Sequence, residues 1–195
     1  MILPVVKYGN PVLRQKGARI EAITPEIKQL IADMFETMEA ADGVGLAAQQ
    51  IGRAVQLTVI DVSPVDEKER PSTLELEGKP ADVKAFMPLV LINPEVKPVN
   101  APVNGGEGCL SFPEIYAEIS RPASVEVTAL NAKGERIQFR CGGLLAKAVQ
   151  HEVDHLNGIL FIDRMDQKTK AELKPELDFL QAETKAELLA QAKKK

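Results

Sequence analysis

The sequence predicts an α+β protein: mostly antiparallel sheet in the middle of the chain, with helices near both ends. Three observations predict it. Helical-period apolar patterns occupy the N-terminal and C-terminal parts. Short alternating or β-branched runs bounded by turn residues lie between them. The βαβ alternation that a parallel sheet requires is missing from the pattern.

Each element has a local reason. Residues 24–41 predict a helix, with Thr24 at the N-cap, Pro25 at the first helical position and Glu26 in the first turn. Ile27, Leu30, Ile31, Met34, Met38 and Ala41 then recur at helical spacing, and Asp42-Gly43 ends the run. The glycine-spaced segment GVGLAAQQIG (43–52) follows, then a β-branched run over 54–61 that predicts a strand. Residues 63–88, rich in proline and charge, predict a long surface loop or hairpin excursion, too short and polar for a core of its own. LVLINPEV (89–96) predicts a strand ended by Asn93-Pro94. SVEVTAL (124–130) and ERIQFR (135–140) predict a hairpin turning at Ala132-Lys133-Gly134. A helix is expected from Gly143 to Leu156, stopped by Asn157-Gly158. LFIDRM (160–165) then predicts a short strand. From Gln167 the composition is again helical, with a kink or break expected at Pro175 and a solvated tail at Lys193–Lys195.

Composition narrows the function. The 195 residues carry a net charge of -4, and 45% are hydrophobic, as in an ordinary globular protein. The basic footprint of a nucleic-acid binder is missing, so no direct sequence-specific nucleic-acid binding is expected. No apolar run approaches the roughly eighteen residues of a membrane span. The N-terminal apolar run is interrupted by Pro4 and followed by Lys7, which does not read as a signal or transit peptide. Two cysteines, Cys109 and Cys141, do not make a disulfide framework and fit a reduced, cytoplasmic setting. Cys141 reads as a buried thiol.

Both histidines of the chain fall in one window, His151-Glu152-Val153-Asp154-His155. On a helix, residues i and i+4 share a face, so His151 and His155 can offer ring nitrogens to one metal ion. Glu152 is displaced about 100° around the axis, placed to reach a water on that ion as a general base. The fold is therefore expected to wrap around a central metal-binding helix. Two histidines leave a third protein ligand to find. Glu172 and Glu176 lie downstream but flank Pro175 in a lysine-studded segment. Cys109, within Glu107-Gly108-Cys109-Leu110-Ser111, is the better candidate, since a thiolate is a strong ligand for a borderline-soft ion. Asp154 faces away from the metal side and needs a cation, for which Arg121 is the candidate.

Three segments in order, GVGLAAQQ (43–50), EGCLS (107–111) and QHEVDHLNG (150–158), together resemble the signature motifs of the peptide deformylases. VVKYGNPVLRQKG and LVLINPE resemble the same family, so the likeness spans most of the chain. It implies a single domain over 1–195, with a catalytic core at 1–164 and a C-terminal helical extension at 165–195. It implies removal of the formyl group from N-formylmethionine of nascent polypeptides, releasing formate, in a bacterial cytoplasm. Cys109, His151 and His155 are then the metal ligands, with Fe2+ the native ion and Zn2+, Ni2+ or Co2+ as substitutes. Glu152 is the general acid/base for the attacking water. Gln50 and the backbone N–H of Leu110 stabilise the oxyanion. Val44, Gly45, Glu107 and Gly108 contact the peptide: Gly45 through its backbone, Val44 beside Leu46 at the methionine side chain. Glu107 is also placed to orient Gln50 or the glycine loop. The stretch 63–88 is longer than in many members, and resemblance to some of them suggests a transient ribosome contact for the C-terminal helix. Two rivals share the histidine helix. A metalloendopeptidase would take a downstream carboxylate as third ligand, and a non-catalytic metal-binding protein would leave Glu152 dispensable.

Overall fold

The computed structural model describes residues 1–194, so the expected tail lies partly outside the described residues. A seven-stranded antiparallel sheet carries the architecture. It contains β1 (Gly45–Ala47), β2 (Leu57–Ile60), β3 (Ser72–Leu76), β4 (Lys79–Pro80), β5 (Leu89–Pro98), β8 (Ser124–Leu130) and β9 (Arg136–Gly142), in the order β1-β2-β5-β8-β9-β3-β4. A separate two-stranded sheet pairs β6 (Pro102–Cys109) with β7 (Phe112–Pro122). The helices are α1 (Pro25–Ala40), the short α2 (Val83–Phe86), α3 (Gly143–Leu156) and α4 (Gln167–Ala192).

The local signals worked where capping or alternation was strong. The Thr24 side chain accepts from the Ile27 N–H, and α1 buries Leu30, Ile31, Met34 and Met38 against Leu57, Val59 and Ile92 of the sheet. β8 pairs with β9 in unbroken register from Ser124↔Gly142 to Leu130↔Arg136. Helix α3 packs against β1, β2, β3 and β9, and all of its residues except Gly143, Lys147 and Val153 are buried. Its interior face joins Leu145 and Val149 to Ile60, Leu91 and Val127. A third cluster ties α4 to β7 through Phe112, Ile119, Phe161, Leu177 and Leu180.

Three expectations need correction. β5 does not end at Asn93-Pro94 but continues to Pro98 through a register shift between Ile92 and Glu95. Asn93 takes a positive φ of 51° there, and its amide bonds both the N–H and the C=O of Ile20, so the bulge is fastened from outside the sheet. LFIDRM is no strand: Phe161–Arg164 is a 3-10 turn, whose preceding Leu160 N–H is bonded by the Asp163 carboxylate at 2.9 Å. α4 runs unbroken through Pro175. Ala171, whose carbonyl loses its partner to the proline, is exposed, so water can satisfy it. The excursion over 63–88 does carry a hairpin, β3 with β4, together with α2, and β3 adds to the sheet beside β9. Among the described residues no helix is long and apolar enough to cross a membrane.

Candidate metal centre and its cavity

Three elements meet at one point. Cys109 ends β6, just before the turn into β7, where the register shifts between Gly108 and Cys109. His151, Glu152 and His155 come from α3. Gln50 lies in the 3-10 turn directly after β1. The ligand atoms of Cys109, His151 and His155 all lie within 4.8 Å of one another, and Cys109 Sγ is 3.3 Å from His155 Nε2. A sulfur and a nitrogen sharing a tetrahedral ion would be about 3.5 Å apart, so the Cys109–His155 spacing fits a shared metal. The donor set, one thiol and two imidazoles, suits a borderline divalent ion.

The surroundings fix which atoms face inward. His151 Nδ1 and Glu107 Oε1 are 2.9 Å apart, which assigns the ring proton to Nδ1 and leaves Nε2 free toward the other donors. Glu107 is in turn gripped by Arg121, whose Nε and Nη2 donate to its two oxygens at 2.6 and 3.0 Å. Arg121 Nη1 also donates to Asp154 at 2.9 Å, and Arg164 donates to the same carboxylate. The expected Arg121–Asp154 pair is therefore present, as part of a larger buried network. Glu107, expected at the substrate and near Gln50, instead stands behind His151 and is not part of the cavity wall.

Burial works against the charged form of His151, but contact with Cys109 and Glu107 outweighs it and holds its pKa well above the usual range. His155 is pushed well below that range by burial, then by the charge of His151. Burial pushes the Glu152 carboxyl up to about 7. A divalent cation at the neighbouring donors would pull it back down. Among the described residues Glu152 Oε2 and His155 Nδ1 are buried without a hydrogen-bond partner, so polar capacity is unspent here. Cys141, by contrast, is an inert buried thiol whose pKa burial pushes up to about 12.

The centre opens on a cavity of about 470 Å³ lined by Val44, Gly45, Gln50, Leu110, Leu144 and Ala148, among others. The Gln50 Oε1 accepts from the Ala47 N–H at 2.9 Å. That turns its Nε2 toward Ser111 Oγ at 3.3 Å and Cys109 Sγ at 3.6 Å. Gly45 lies against Glu152: a Cβ there would sit 2.6 Å from Oε1. At Gly108 a Cβ would meet the Tyr116 ring at 2.7 Å. Leu46 is fully buried in the core rather than at the cavity. Glu172 and Glu176 are exposed on α4. Sequence reasoning missed Arg70, Tyr116 and Lys147 in the cavity wall, because an exposed aromatic and two isolated cations carry no pattern.

A half-buried thiol and two buried imidazoles, with a carboxylate one residue along the same helix and a cavity in front, define a metallohydrolase centre on an α+β scaffold. The comparisons name the kind. The family model described as polypeptide deformylase matches residues 2–171. A peptide deformylase of Opitutus terrae is 44% identical over 188 residues, covering 95% of this chain and 96% of the relative. One from Methylacidiphilum infernorum is 45% identical over 178 residues, covering 91% and 92%. The crystal structure of Arabidopsis thaliana peptide deformylase 1B in complex with an inhibitor superposes with a TM-score of 0.80 at 37% identity, over 95% of this chain and 93% of that one. A peptide deformylase from Synechococcus elongatus in complex with actinonin gives 0.74 at 37% identity, over 89% and 85%. The chain belongs to the polypeptide deformylase family.

Proposed function

We propose that this chain hydrolyses the N-formyl group of N-formylmethionine at the start of nascent polypeptides, releasing formate and a free amino terminus. The observation that carries this reading is Gln50 beside Cys109: an amide donor held on the third ligand, which a two-histidine protease helix does not need. Cys109 Sγ, His151 Nε2 and His155 Nε2 would hold one divalent ion, with Fe2+ as the native metal and Zn2+, Ni2+ or Co2+ as replacements. Such an ion supplies Lewis acidity and makes a water acidic enough to attack near neutral pH.

The protein groups do the rest. Glu152 takes a proton from the attacking water and returns it to the departing amine, a role typically contributing about 10²–10⁴ in rate. Gln50 Nε2, with the Leu110 N–H, donates to the oxygen on which charge develops; one such donor contributes roughly 3–4 kcal/mol. Gly45 and Gly108 line the cavity and give up their side-chain space to Glu152 and the Tyr116 ring, and Val44, Leu144 and Ala148 offer an apolar place for the methionine side chain. Glu107 and Arg121 keep the His151 ring in its orientation.

We further propose that residues 1–164 form the catalytic core and 165–195 an extension, and that the enzyme works in a bacterial cytoplasm with a transient ribosome contact through α4. The test is a formylated tripeptide and an internally quenched, N-blocked peptide offered to metal-loaded protein. Formate from the first without cleavage of the second supports deformylation. Internal cleavage without formate supports the endopeptidase alternative.

A further inference from the structure

Gln50 and Leu110 stand on different elements. Gln50 belongs to the 3-10 turn Ala48–Ile51, and Leu110 lies in the turn between β6 and β7. Among the described residues no backbone hydrogen bond joins one turn directly to the other. Only side chains cross: Gln50 Nε2 meets Ser111 Oγ at 3.3 Å and Cys109 Sγ at 3.6 Å. The N-terminal segment spans the gap. The Val6 N–H donates to the Gln50 carbonyl at 2.8 Å, and the Tyr8 N–H donates to the Ser111 carbonyl at 2.9 Å. Val6 and Tyr8 are half-buried and Lys7 between them is exposed, the alternation of an extended chain. In such a chain residues i and i+2 turn their N–H groups to the same edge, about 6.6–6.8 Å apart. The Tyr8 ring also stacks on Phe112, the residue after Ser111, with centroids 4.8 Å apart. α4 closes on the segment from behind: at Gly9, with φ 109°, a Cβ would sit 2.8 Å from the Gln181 carbonyl oxygen. Gln50 and Ser111 are both buried, so water offers their carbonyls no ready substitute for these bonds.

We infer, on the deformylase reading of Gln50, that Val6, Tyr8 and Ser111 are positioning residues for the reaction. Val6 and Tyr8 form a spacer that sets how far the Gln50 turn stands from the Leu110 turn, and Ser111 Oγ aims the Gln50 amide between them. A donor to a developing oxyanion works at about 2.7–3.1 Å from it, and a displacement of roughly 1 Å costs rate. Val6 lies outside the wall of the cavity, so it acts through Gln50 rather than on the peptide. The same segment has a second anchor that touches neither turn: the Leu3 N–H donates to Thr37 Oγ1 at 2.9 Å. That anchor separates attachment of the segment from its spacing role.

The experiment uses the zinc-loaded full chain at equal metal content. Val6→Pro removes the N–H that holds the Gln50 carbonyl. Its kcat on formyl-Met-Ala-Ser is expected to fall about 10-fold, with KM within about twofold, the pattern of an interaction made in the transition state. Thr37→Val, the control, lowers Tm and leaves kcat unchanged. In a Gln50→Ala background Val6→Pro costs less than about a further twofold, because the group it places is gone. Ser111→Ala shows the same dependence on Gln50, and it carries the test if Val6→Pro does not fold. A second readout needs no turnover. In nitrogen-15 spectra the Gln50 side-chain amide signal, assigned by its loss in Gln50→Ala, shifts in Val6→Pro and in Ser111→Ala and stays in place in Thr37→Val. Equal losses with and without Gln50, an unchanged kcat in folded Val6→Pro, or an unmoved amide signal overturns the spacer. Absence of formate from the wild type counts against deformylation instead, and the amide signal still decides the spacer.

Discussion

Replacing Arg121 by Met tests the buried network behind the metal ligands. The Arg121 side chain is 5% exposed, against 4% for Glu107 and 12% for Asp154. The variant removes three hydrogen bonds, two to Glu107 and one to Asp154. Asp154 keeps Arg164, so the main cost falls on Glu107, left buried with only His151 as partner. Removing one partner of a buried ion pair typically costs about 3–5 kcal/mol, because the other charge stays desolvated. For a chain of this size that lowers Tm by about 6–20 °C. The assay is thermal unfolding of metal-loaded protein followed by circular dichroism, with metal content measured on the same samples. Adding Glu107→Gln to Arg121→Met should recover part of the loss, since the orphaned charge is gone. A fall of less than about 2 °C for the single variant would refute the reasoning, and equal stability of single and double variants would show that unpaired charge is not the cause.

Other outcomes follow from the same geometry. Gly45→Ala places a methyl where Glu152 Oε1 lies, 2.6 Å away. The carboxylate is the flexible partner, so kcat should fall about 10²-fold or more with the fold intact; unchanged kcat would show that the position of Glu152 is uncritical. Cys109→Ser should weaken metal retention and abolish the thiolate-to-metal absorption of the cobalt-loaded protein, whereas undiminished affinity would point to another third ligand. Asp163 is held below its ordinary 3.8: burial raises its pKa, but the Arg14 guanidinium and the Leu160 N–H outweigh it. A carboxyl with a depressed folded-state pKa stabilises fully above its unfolded value and loses that contribution as pH falls through the folded one. Asp163→Asn should therefore flatten the acid limb of stability below about pH 4 and leave that slope unchanged near pH 7, as urea titrations at several pH values can check.

What the sequence disclosed depended on whether the signal was local. The N-cap at Thr24, the hairpin at Ala132–Gly134 and the i, i+4 histidines are short-range patterns, and each reappears in the fold. β6 was hidden because VNGGEGC has too many glycines to alternate, and its partner β7 is interrupted by exposed charge. The strand through Asn93-Pro94 survives because Asn93 is fastened to Ile20, a contact 73 residues distant that no local pattern encodes. The same holds at the site. Glu107 stands in a motif, but its place behind His151 depends on β6 meeting α3, 44 residues away in sequence. Arg70 reaches the cavity only because β3, just after it, joins the sheet beside β9.

The central claim is that Glu152 and the Cys109, His151 and His155 centre deformylate a peptide. Formate release from formyl-Met-Ala-Ser by anaerobically purified, metal-loaded protein, compared with Glu152→Ala at equal metal content, addresses it directly. Formate from the wild type and a loss of at least about 10²-fold in the variant is the expected result. No formate from the metal-loaded wild type, or equal rates from both proteins, would contradict it.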